Sequence, residues 1–208
     1  QNVKKKCLVV DLDNTLWGGV IGEDGMYSIK LGNSYEGEKF TNFQKYLKDL
    51  SNKGTILAIL SKNNLEDVKK CFKKNTNMIL SLNDFITYRI NWREKYLNMN
   101  EIVSELNIGK DSIVFFDDSK FERDQMKKMN PDINVINVPK DASNFIESIE
   151  DTAFFKSQKT LNEDLKKKKQ YKIVSKFNSS KAKFKDTDSF LKSLKMKLSI
   201  SKINNKNF

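Results

Sequence analysis

Three short apolar runs, each followed at once by polar residues, constrain the fold of this chain more than any other feature. They span residues 7–10, 55–60 and 112–116. Unbroken apolar runs of this length are typical of strands that are buried on both faces of a parallel sheet. Helical patterns lie between or after them, at about 36–53, 64–73, 94–106 and 121–129. This alternation predicts a doubly wound, Rossmann-like α/β fold with right-handed crossovers, and a weaker fourth strand is expected at 133–138.

Polar side chains collect where the predicted strands end. Asp11 and Asp13 follow the first run, Ser61 follows the second, and Asp117 and Asp118 follow the third. Because ligands of doubly wound sheets bind at the carboxyl ends of the strands, these side chains are expected to share one site. Four carboxylates held close together repel one another unless a cation lies between them, and a ligand set of oxygens favours Mg²⁺. For Asp11 and Asp13 taken alone, turn and capping chemistry is the alternative.

The chain contains no histidine, which excludes several kinds of catalytic and metal site. Ser-His-Asp and Cys-His triads, histidine bases and His-ligated zinc or iron all require that residue. Cys7 and Cys71 lack a metal-binding spacing, and we expect both to be buried structural thiols in a reducing compartment, the cytoplasm. No run approaches the roughly 18 apolar residues of a membrane span.

The net charge of +11 is confined to the C-terminal part of the chain. Residues 1–150 carry 22 basic and 22 acidic side chains, whereas residues 151–208 carry 16 and 5. We therefore predict an α/β domain over 1–150 and a basic, mostly helical extension over 151–208. The extension should contain a helix near 188–194 and then an apolar alternation, Met196, Leu198 and Ile200. The four lysines at 166–169 form either a solvated helix face or a surface for an acidic partner, and recognition of nucleic acid is disfavoured.

Residues 17–31 contain four glycines, which predicts the turns of a small flap hairpin rather than a helix. Only short connections follow Asp13 and Ser61, so no large cap domain is expected over the site. Trp17 and Trp92 are expected to pack in the flap and the core rather than to contact a substrate.

Four segments together resemble a known superfamily. The segment Asp11-Leu12-Asp13-Asn14-Thr15 is similar to the first motif of the haloacid dehalogenase superfamily. The likeness to its FkbH-like branch, subfamily IIIC, extends through Leu16-Trp17-Gly18-Gly19-Val20-Ile21-Gly22-Glu23-Asp24-Gly25, Leu60-Ser61-Lys62-Asn63-Asn64, Ile90-Asn91-Trp92-x-x-Lys95 and Phe116-Asp117-Asp118. These motifs cover about residues 3–150, and the remainder is more loosely similar to the segment that leads into a further domain in longer relatives.

The resemblance implies a phosphoryl-transfer mechanism with two aspartates. Asp11 would be the nucleophile that attacks phosphorus and forms an aspartyl-phosphate. Asp13 would be the general acid for the leaving oxygen and then the general base for water.

The resemblance also implies a phosphate-binding set and a metal-binding set. The phosphate-binding residues would be Thr15, Ser61, Lys62, Asn63 and Lys95. The Mg²⁺ ligands would be the Asp11 carboxylate, the Asp13 backbone carbonyl, Asp117 and, directly or through water, Asp118. A helix-capping role is the alternative for Asp118.

Three functional hypotheses follow from this resemblance. The first is a Mg²⁺-dependent phosphatase or phosphotransferase that acts on a phosphoglycerate-like or carrier-linked phosphate. The second is glyceryl transfer from 1,3-bisphosphoglycerate to an acyl carrier protein with dephosphorylation, which requires a reactive thiolate at the site. Leu12 and Leu60 stand where relatives often carry Cys, which disfavours that reaction. The third is a non-catalytic docking module whose basic extension binds an acidic partner protein.

Overall fold

A computed structural model describes residues 5–156, 162–181, 184, 187–193 and 195. Its centre is a five-stranded sheet in which all neighbouring strands run parallel, in the order β3-β2-β1-β4-β5. The strands are β1 (Cys7–Val10), β2 (Ile56–Ser61), β3 (Thr87–Ile90), β4 (Ile113–Phe116) and β5 (Asn134–Val135). The predicted doubly wound α/β fold is confirmed. The central position of β1 places the residues that follow it between the ends of β2 and β4.

Apart from α1, the helices of the first 130 residues begin and end close to the predicted positions. They are α1 (Ile21–Asp24), α2 (Tyr35–Asn52), α3 (Leu65–Lys74), α4 (Lys95–Leu106), α5 (Lys120–Met129), α6 (Phe145–Glu150), α7 (Asn162–Lys181) and α8 (Thr187–Ser193). Polar caps explain three of the starts, because Ser34, Asn64 and Ser119 each accept a hydrogen bond from a backbone N–H in the first turn.

The sheet separates two hydrophobic cores. Alternate residues of β1 enter different cores, since Leu8 and Val10 lie in one and Cys7 and Val9 in the other. Residues of α2 and α6 complete the first core, and residues of α4 and α5 complete the second. Burial on both faces explains why the strands are apolar throughout.

Four phenylalanines from three elements pack together in the first core. They are Phe40, Phe43, Phe116 and Phe145. The ring centroid of Phe43 lies 5.1 Å from that of Phe116 and 5.3 Å from that of Phe145. Because Phe116 is the last residue of β4, this cluster supports the strand end that precedes Asp117.

Truncation of Phe43 to alanine should lower the free energy of unfolding by about 3–5 kcal/mol, because it removes a fully buried ring and leaves a cavity. Urea denaturation of the two proteins measures this difference. The control is Phe121→Ala, which removes a ring that is 66% exposed and should change stability by less than about 0.5 kcal/mol. A loss below about 1 kcal/mol for Phe43→Ala would contradict a tightly packed cluster.

Two strand predictions need correction. No strand was assigned between the predicted helices at 64–73 and 94–106, but residues 87–90 form β3 at the edge of the sheet. Its middle residues are half-buried, and Arg89 pairs with Glu101 and Glu105 of α4, so the segment lacks the apolar run of a central strand. The strand expected at 133–138 shortens to the two residues of β5 at the opposite edge.

The flap prediction is partly wrong. Gly18 and Lys30 form the antiparallel pair of a hairpin, each backbone N–H donating to the carbonyl of the other, at 3.0 and 2.8 Å. Between them, however, the chain forms the short helix α1, which the glycines led us not to expect. Gly18 itself is required by packing, because a Cβ atom there would lie 2.6 Å from Cε2 of Phe40.

The chain divides into two compact units, Gln1–Ser175 and Lys176–Phe208. In the first unit, Ser175 bonds to Glu105, and Tyr171 packs against the second core. In the second unit, the buried ring of Phe190 lies 4.9 Å from that of Phe177. The predicted domain division at residue 150 stays a prediction.

The extension contains the helix expected near 188–194, which is α8. The apolar alternation at 196–200 and the side chains of the lysines at 166–169 lie outside the described residues. None of the helices in the described part of the chain is both long and apolar enough to cross a membrane.

Candidate active site

Three carboxylates meet at the carboxyl end of the sheet. Val10 of β1 lies opposite Phe116 of β4, so the residues that follow, Asp11 and Asp117, are neighbours. One oxygen from each of Asp11, Asp117 and Asp118 lies within 4.8 Å of the others. Sequence reasoning placed these three together, and they form an acidic triad at the topological centre of the fold.

The carboxylates of the triad repel one another in a partly buried site. Burial, followed by repulsion from Asp11, raises the pKa of Asp117. The same two causes raise the pKa of Asp118 to about 6, although its side chain lies at the exposed rim. Positive charge beside the triad would therefore favour its ionised form.

Lys95 places a positive charge beside the triad. Its side chain is buried in the first turn of α4, and Nζ lies 2.6 Å from Oδ2 of Asp117 and 3.1 Å from Oδ2 of Asp11. Burial lowers the pKa of Lys95, but attraction to Asp11 and Asp117 outweighs it, so the net shift is upward. Lys95 is therefore a permanent cation between two carboxylates.

The chemistry of the triad suits a divalent cation. Oδ1 of Asp11 is buried and has no hydrogen-bond partner in the described part of the chain. A buried carboxylate oxygen without a partner is costly, whereas three converging carboxylates match the oxygen ligands of hard cations. Asp11, Asp117 and Asp118 are thus the residues that could hold such an ion.

The carboxylate of Asp13 lies in a hydrogen-bond network of its own. Its Oδ1 accepts from Nε1 of Trp17 at 2.8 Å and from the backbone N–H of Ile21 at 3.0 Å. Its Oδ2 accepts from Nδ2 of Asn63 at 2.8 Å. Burial raises the pKa of Asp13, while these hydrogen bonds oppose the shift. The carboxyl group is therefore held in one orientation, with protonation favoured relative to a solvated aspartate.

The predicted phosphate-binding residues lie in different surroundings. Ser61 is the buried last residue of β2, the strand next to β1, and Thr15 is buried, with a hydroxyl that has no partner among the described residues. Nζ of Lys62 lies 3.2 Å from Glu94 and 3.0 Å from Glu122. A phosphate role for Lys62 stays a prediction, as does one for Asn63, whose amide reaches Asp13.

Two supporting residues were not anticipated as part of the site. Trp17 was expected only to pack, yet it also orients Asp13. The guanidinium of Arg123 donates from Nη1 to the backbone carbonyls of Asp117 and Asp118, at 2.6 and 2.7 Å, and so fixes the loop that carries both. The sequence held one signal for the contact of Trp17 with Asp13, which is their four-residue spacing. It held no signal for the role of Arg123.

The structure contradicts the capping alternative for Asp118 and the packing expected of Trp92. Ser119 rather than Asp118 caps α5, since its Oγ accepts from the N–H of Glu122. The capping alternative for Asp118 is therefore wrong. Trp92 was expected to pack in the core, but it is 73% exposed after β3.

Comparison with known proteins agrees with this site. No protein-family model and no curated protein sequence matches the chain. Among solved structures, it is similar to the N-terminal part of the protein BF1531 from Bacteroides fragilis, which contains a phosphatase domain and is complexed with Mg. The TM-score is 0.72 at 41% sequence identity, and the likeness covers 74% of this chain. This chain spans 41% of the length of that one. The likeness is consistent with a phosphatase of the haloacid dehalogenase type.

Proposed function

We propose that this protein is a Mg²⁺-dependent phosphohydrolase or phosphotransferase of the FkbH-like branch of the haloacid dehalogenase superfamily. One observation carries the proposal: Asp11 is buried beside Lys95 and two further carboxylates, and its Oδ1 has no hydrogen-bond partner among the residues that the structure describes. A nucleophile needs an available lone pair, and a transferring phosphoryl group needs nearby positive charge. The similarity to a phosphatase domain complexed with Mg supports the same assignment.

In this mechanism, an oxygen of Asp11 forms a bond to phosphorus while the ester bond to the leaving oxygen breaks. Asp13 gives its proton to that oxygen, and the product alcohol departs. A water molecule then loses a proton to Asp13 and attacks the aspartyl-phosphate, which returns Asp11 and releases inorganic phosphate. Ser61 and Lys95 bind the phosphoryl oxygens. Asp11, Asp117, Asp118 and the backbone carbonyl of Asp13 would hold Mg²⁺, which would neutralise phosphoryl charge.

Replacement of Trp17 by phenylalanine tests the role of Asp13. The variant keeps an aromatic ring but loses the Nε1 donor, so we expect kcat for an alkyl phosphate to fall about five- to tenfold. Hydrolysis of 4-nitrophenyl phosphate should fall much less, because that leaving group departs without a proton. Steady-state kinetics with both substrates measures the difference.

Trp92→Phe is the matched control, since it changes an exposed indole, and both rates should stay within about twofold. An equal loss on both substrates in Trp17→Phe would indicate general damage to the flap and would contradict a positioning role.

We propose a phosphoglycerate-like or carrier-linked phosphate as the substrate, with an acyl carrier protein as a candidate partner. The described residues between Asp13 and α2 form only the small flap with α1, so a phosphate on a bulky carrier has room to approach. Residues 151–208 carry 16 basic and 5 acidic side chains, a positive excess that suits an acidic partner. Free thiols at both cysteines fit the predicted cytoplasmic location, which stays a prediction.

Glyceryl transfer through an enzyme thioester receives no support from either thiol. Cys7 and Cys71 are both buried and free. Burial raises the pKa of Cys7, and burial together with Asp13 raises the pKa of Cys71 to about 11. Neither thiol is a ready nucleophile at neutral pH.

We therefore expect no rapid alkylation of the native protein by iodoacetamide at pH 8, and two alkylated cysteines after denaturation in urea. Intact-mass analysis counts the modified thiols. Incubation with 1,3-bisphosphoglycerate before alkylation provides the second arm. A glyceryl adduct on Cys7 or Cys71 in the native protein would restore the transferase hypothesis.

Phosphate release from a panel of phosphate esters, measured with Mg²⁺ and again with excess EDTA, tests the proposed function directly. We expect turnover that depends on Mg²⁺ and is lost in EDTA. Absence of turnover and of any covalent adduct across the panel, with binding of an acidic partner retained, would favour the non-catalytic docking module instead.

A further inference from the structure

Lys62 connects three segments of the chain by ion pairs. Its Nζ lies 3.2 Å from Oε2 of Glu94, which precedes α4, and 3.0 Å from Oε1 of Glu122, in the first turn of α5. Lys62 itself follows Ser61, the last residue of β2. One ammonium group therefore joins the end of β2 to the starts of two helices.

Two of these segments carry side chains of the candidate active site next to the ion pairs. Lys95, which lies between Asp11 and Asp117, directly follows Glu94. In the β2 segment, Ser61 precedes Lys62. A displacement of either segment would therefore move a group that is proposed to bind phosphoryl oxygens.

The third segment connects Lys62 to the acidic triad through Ser119. The Oγ atom of Ser119 accepts a hydrogen bond from the backbone N–H of Glu122 at 3.4 Å. The backbone N–H of Ser119 donates to Oδ1 of Asp117 at 2.9 Å. The ion pair between Lys62 and Glu122 thus lies two hydrogen bonds from a carboxylate of the triad.

The ion pair with Glu122 is the more buried of the two. The side chain of Glu122 is 9% exposed, against 44% for Glu94. Among the residues that the structure describes, Oε2 of Glu122 has no hydrogen-bond partner, and Lys62 is the one cation paired with this carboxylate. Removal of Lys62 therefore leaves a buried carboxylate without a counter-charge.

The charges around Lys62 disfavour direct binding of phosphate. Burial lowers the pKa of Lys62, but its contacts with Glu122 and Glu94 outweigh burial, so the net shift is upward. The ammonium group is thus a permanent cation, and two carboxylates already match its charge. A phosphoryl group at the same nitrogen would be repelled by both carboxylates.

We infer that Lys62 is a positioning residue, which holds Ser61 and Lys95 in place relative to the acidic triad and does not itself bind the phosphoryl group. The inference rests on the proposed function and adds a residue to its machinery. It predicts that Lys62 acts on the reaction only through its carboxylate partners. Replacement of Glu122 should therefore have the same effect as replacement of Lys62.

A double-mutant cycle of Lys62→Met and Glu122→Met tests this equivalence. The readout is the single-turnover rate constant for 4-nitrophenyl phosphate with Mg²⁺ and saturating protein, which does not depend on the fraction of protein that is folded. We expect each single replacement to lower it at least about fivefold, and the double replacement to lose no more than the worse single one. An unchanged rate constant in Lys62→Met, with an active wild type, would overturn the inference while the proposed function stands.

Inhibition by inorganic phosphate separates positioning from direct binding. We expect its inhibition constant to stay within about twofold in Lys62→Met, because the groups proposed to bind phosphoryl oxygens remain. An increase of about tenfold in Lys62→Met that is absent in Glu122→Met would make Lys62 a phosphate ligand and overturn the inference. Lys69→Met is the matched control, since Lys69 pairs with Glu66 at 2.8 Å on the surface of α3, and neither readout should change.

A second cycle, of Lys62→Met and Lys95→Met, needs no turnover. Urea denaturation in EDTA measures the unfolding equilibrium constants. If Lys62 positions Lys95, Lys95→Met should change that constant at least about fivefold less when Lys62 is already replaced. Repulsion between two lysines has the opposite sign, because Lys95 would then stabilise more once Lys62 is gone.

The two cycles distinguish failure of the inference from failure of the proposed function. Coupling of the expected sign in urea, without turnover of any ester by the wild-type protein, would support the positioning of Lys95 and refute the proposed function. Additive effects in urea, or coupling of the opposite sign, would overturn the inference whether or not the protein is active.

Discussion

Asp11→Asn is expected to lower Mg²⁺-dependent phosphate release at least about a thousandfold, because it removes the nucleophile and leaves a nearly isosteric side chain. The amide cannot attack phosphorus as a carboxylate does. It also takes one negative charge from the acidic triad, so binding of the ion should weaken. The measurement is phosphate release over a range of Mg²⁺ concentrations, because a loss caused by weak binding alone would be recovered at high Mg²⁺.

Asp124→Asn makes the same chemical change on the exposed side of α5, where the carboxylate pairs with Lys120. Its activity should match that of the wild-type protein within about twofold. Intact-mass analysis of both proteins after rapid acid quenching provides the second readout. The control should gain the mass of one phosphoryl group and Asp11→Asn should not. Turnover by Asp11→Asn near the wild-type rate would refute an aspartyl-phosphate mechanism.

Lys95→Met should remove activity and also destabilise the metal-free protein. Lys95 is 4% exposed and faces both Asp11 and Asp117, so its loss leaves two buried carboxylates without a counter-charge. Removal of one partner of a buried ion pair costs about 3–5 kcal/mol in unfolding free energy. Urea denaturation in EDTA measures this loss.

Addition of Mg²⁺ should recover part of the stability of Lys95→Met but none of its activity. A bound cation replaces some of the missing positive charge, whereas it does not replace the group that holds the phosphoryl oxygens. The increase in unfolding free energy on adding Mg²⁺ should therefore be larger in the variant than in the wild type. Lys128→Met, an exposed lysine on α5, should behave as the wild type does. An equal effect of Mg²⁺ on all three proteins would show that the ion does not bind at the triad.

The strand and helix pattern was predictable because it depends on local properties. Apolar runs mark strands that are covered on both faces, and caps such as Asn64 mark where helices begin. The edge strand β3 was missed because its middle residues are half-buried and do not form an unbroken apolar run. Helix α1 was missed because the four glycines within 17–31 favour turns, and the helix is only a single turn long.

The composition of the acidic triad was also predictable, because parallel strands bring their carboxyl ends to one edge of the sheet. Asp11 and Asp117 had to be neighbours once β1 and β4 were adjacent. The sequence left two roles open for Asp118, membership of the triad and capping of α5. The structure decided between them, because Ser119 is the cap of α5.

By itself, the sequence determined the α/β class, the order of most strands and helices, and the carboxylates that follow β1 and β4. These depend on short-range periodicity and on the general geometry of parallel sheets. Only the tertiary structure decided that Lys95 lies between Asp11 and Asp117, that Trp17 orients Asp13, and that Lys62 pairs with Glu94 and Glu122. These contacts depend on how each helix is rotated and how far each side chain reaches, and no local pattern in the chain encodes either.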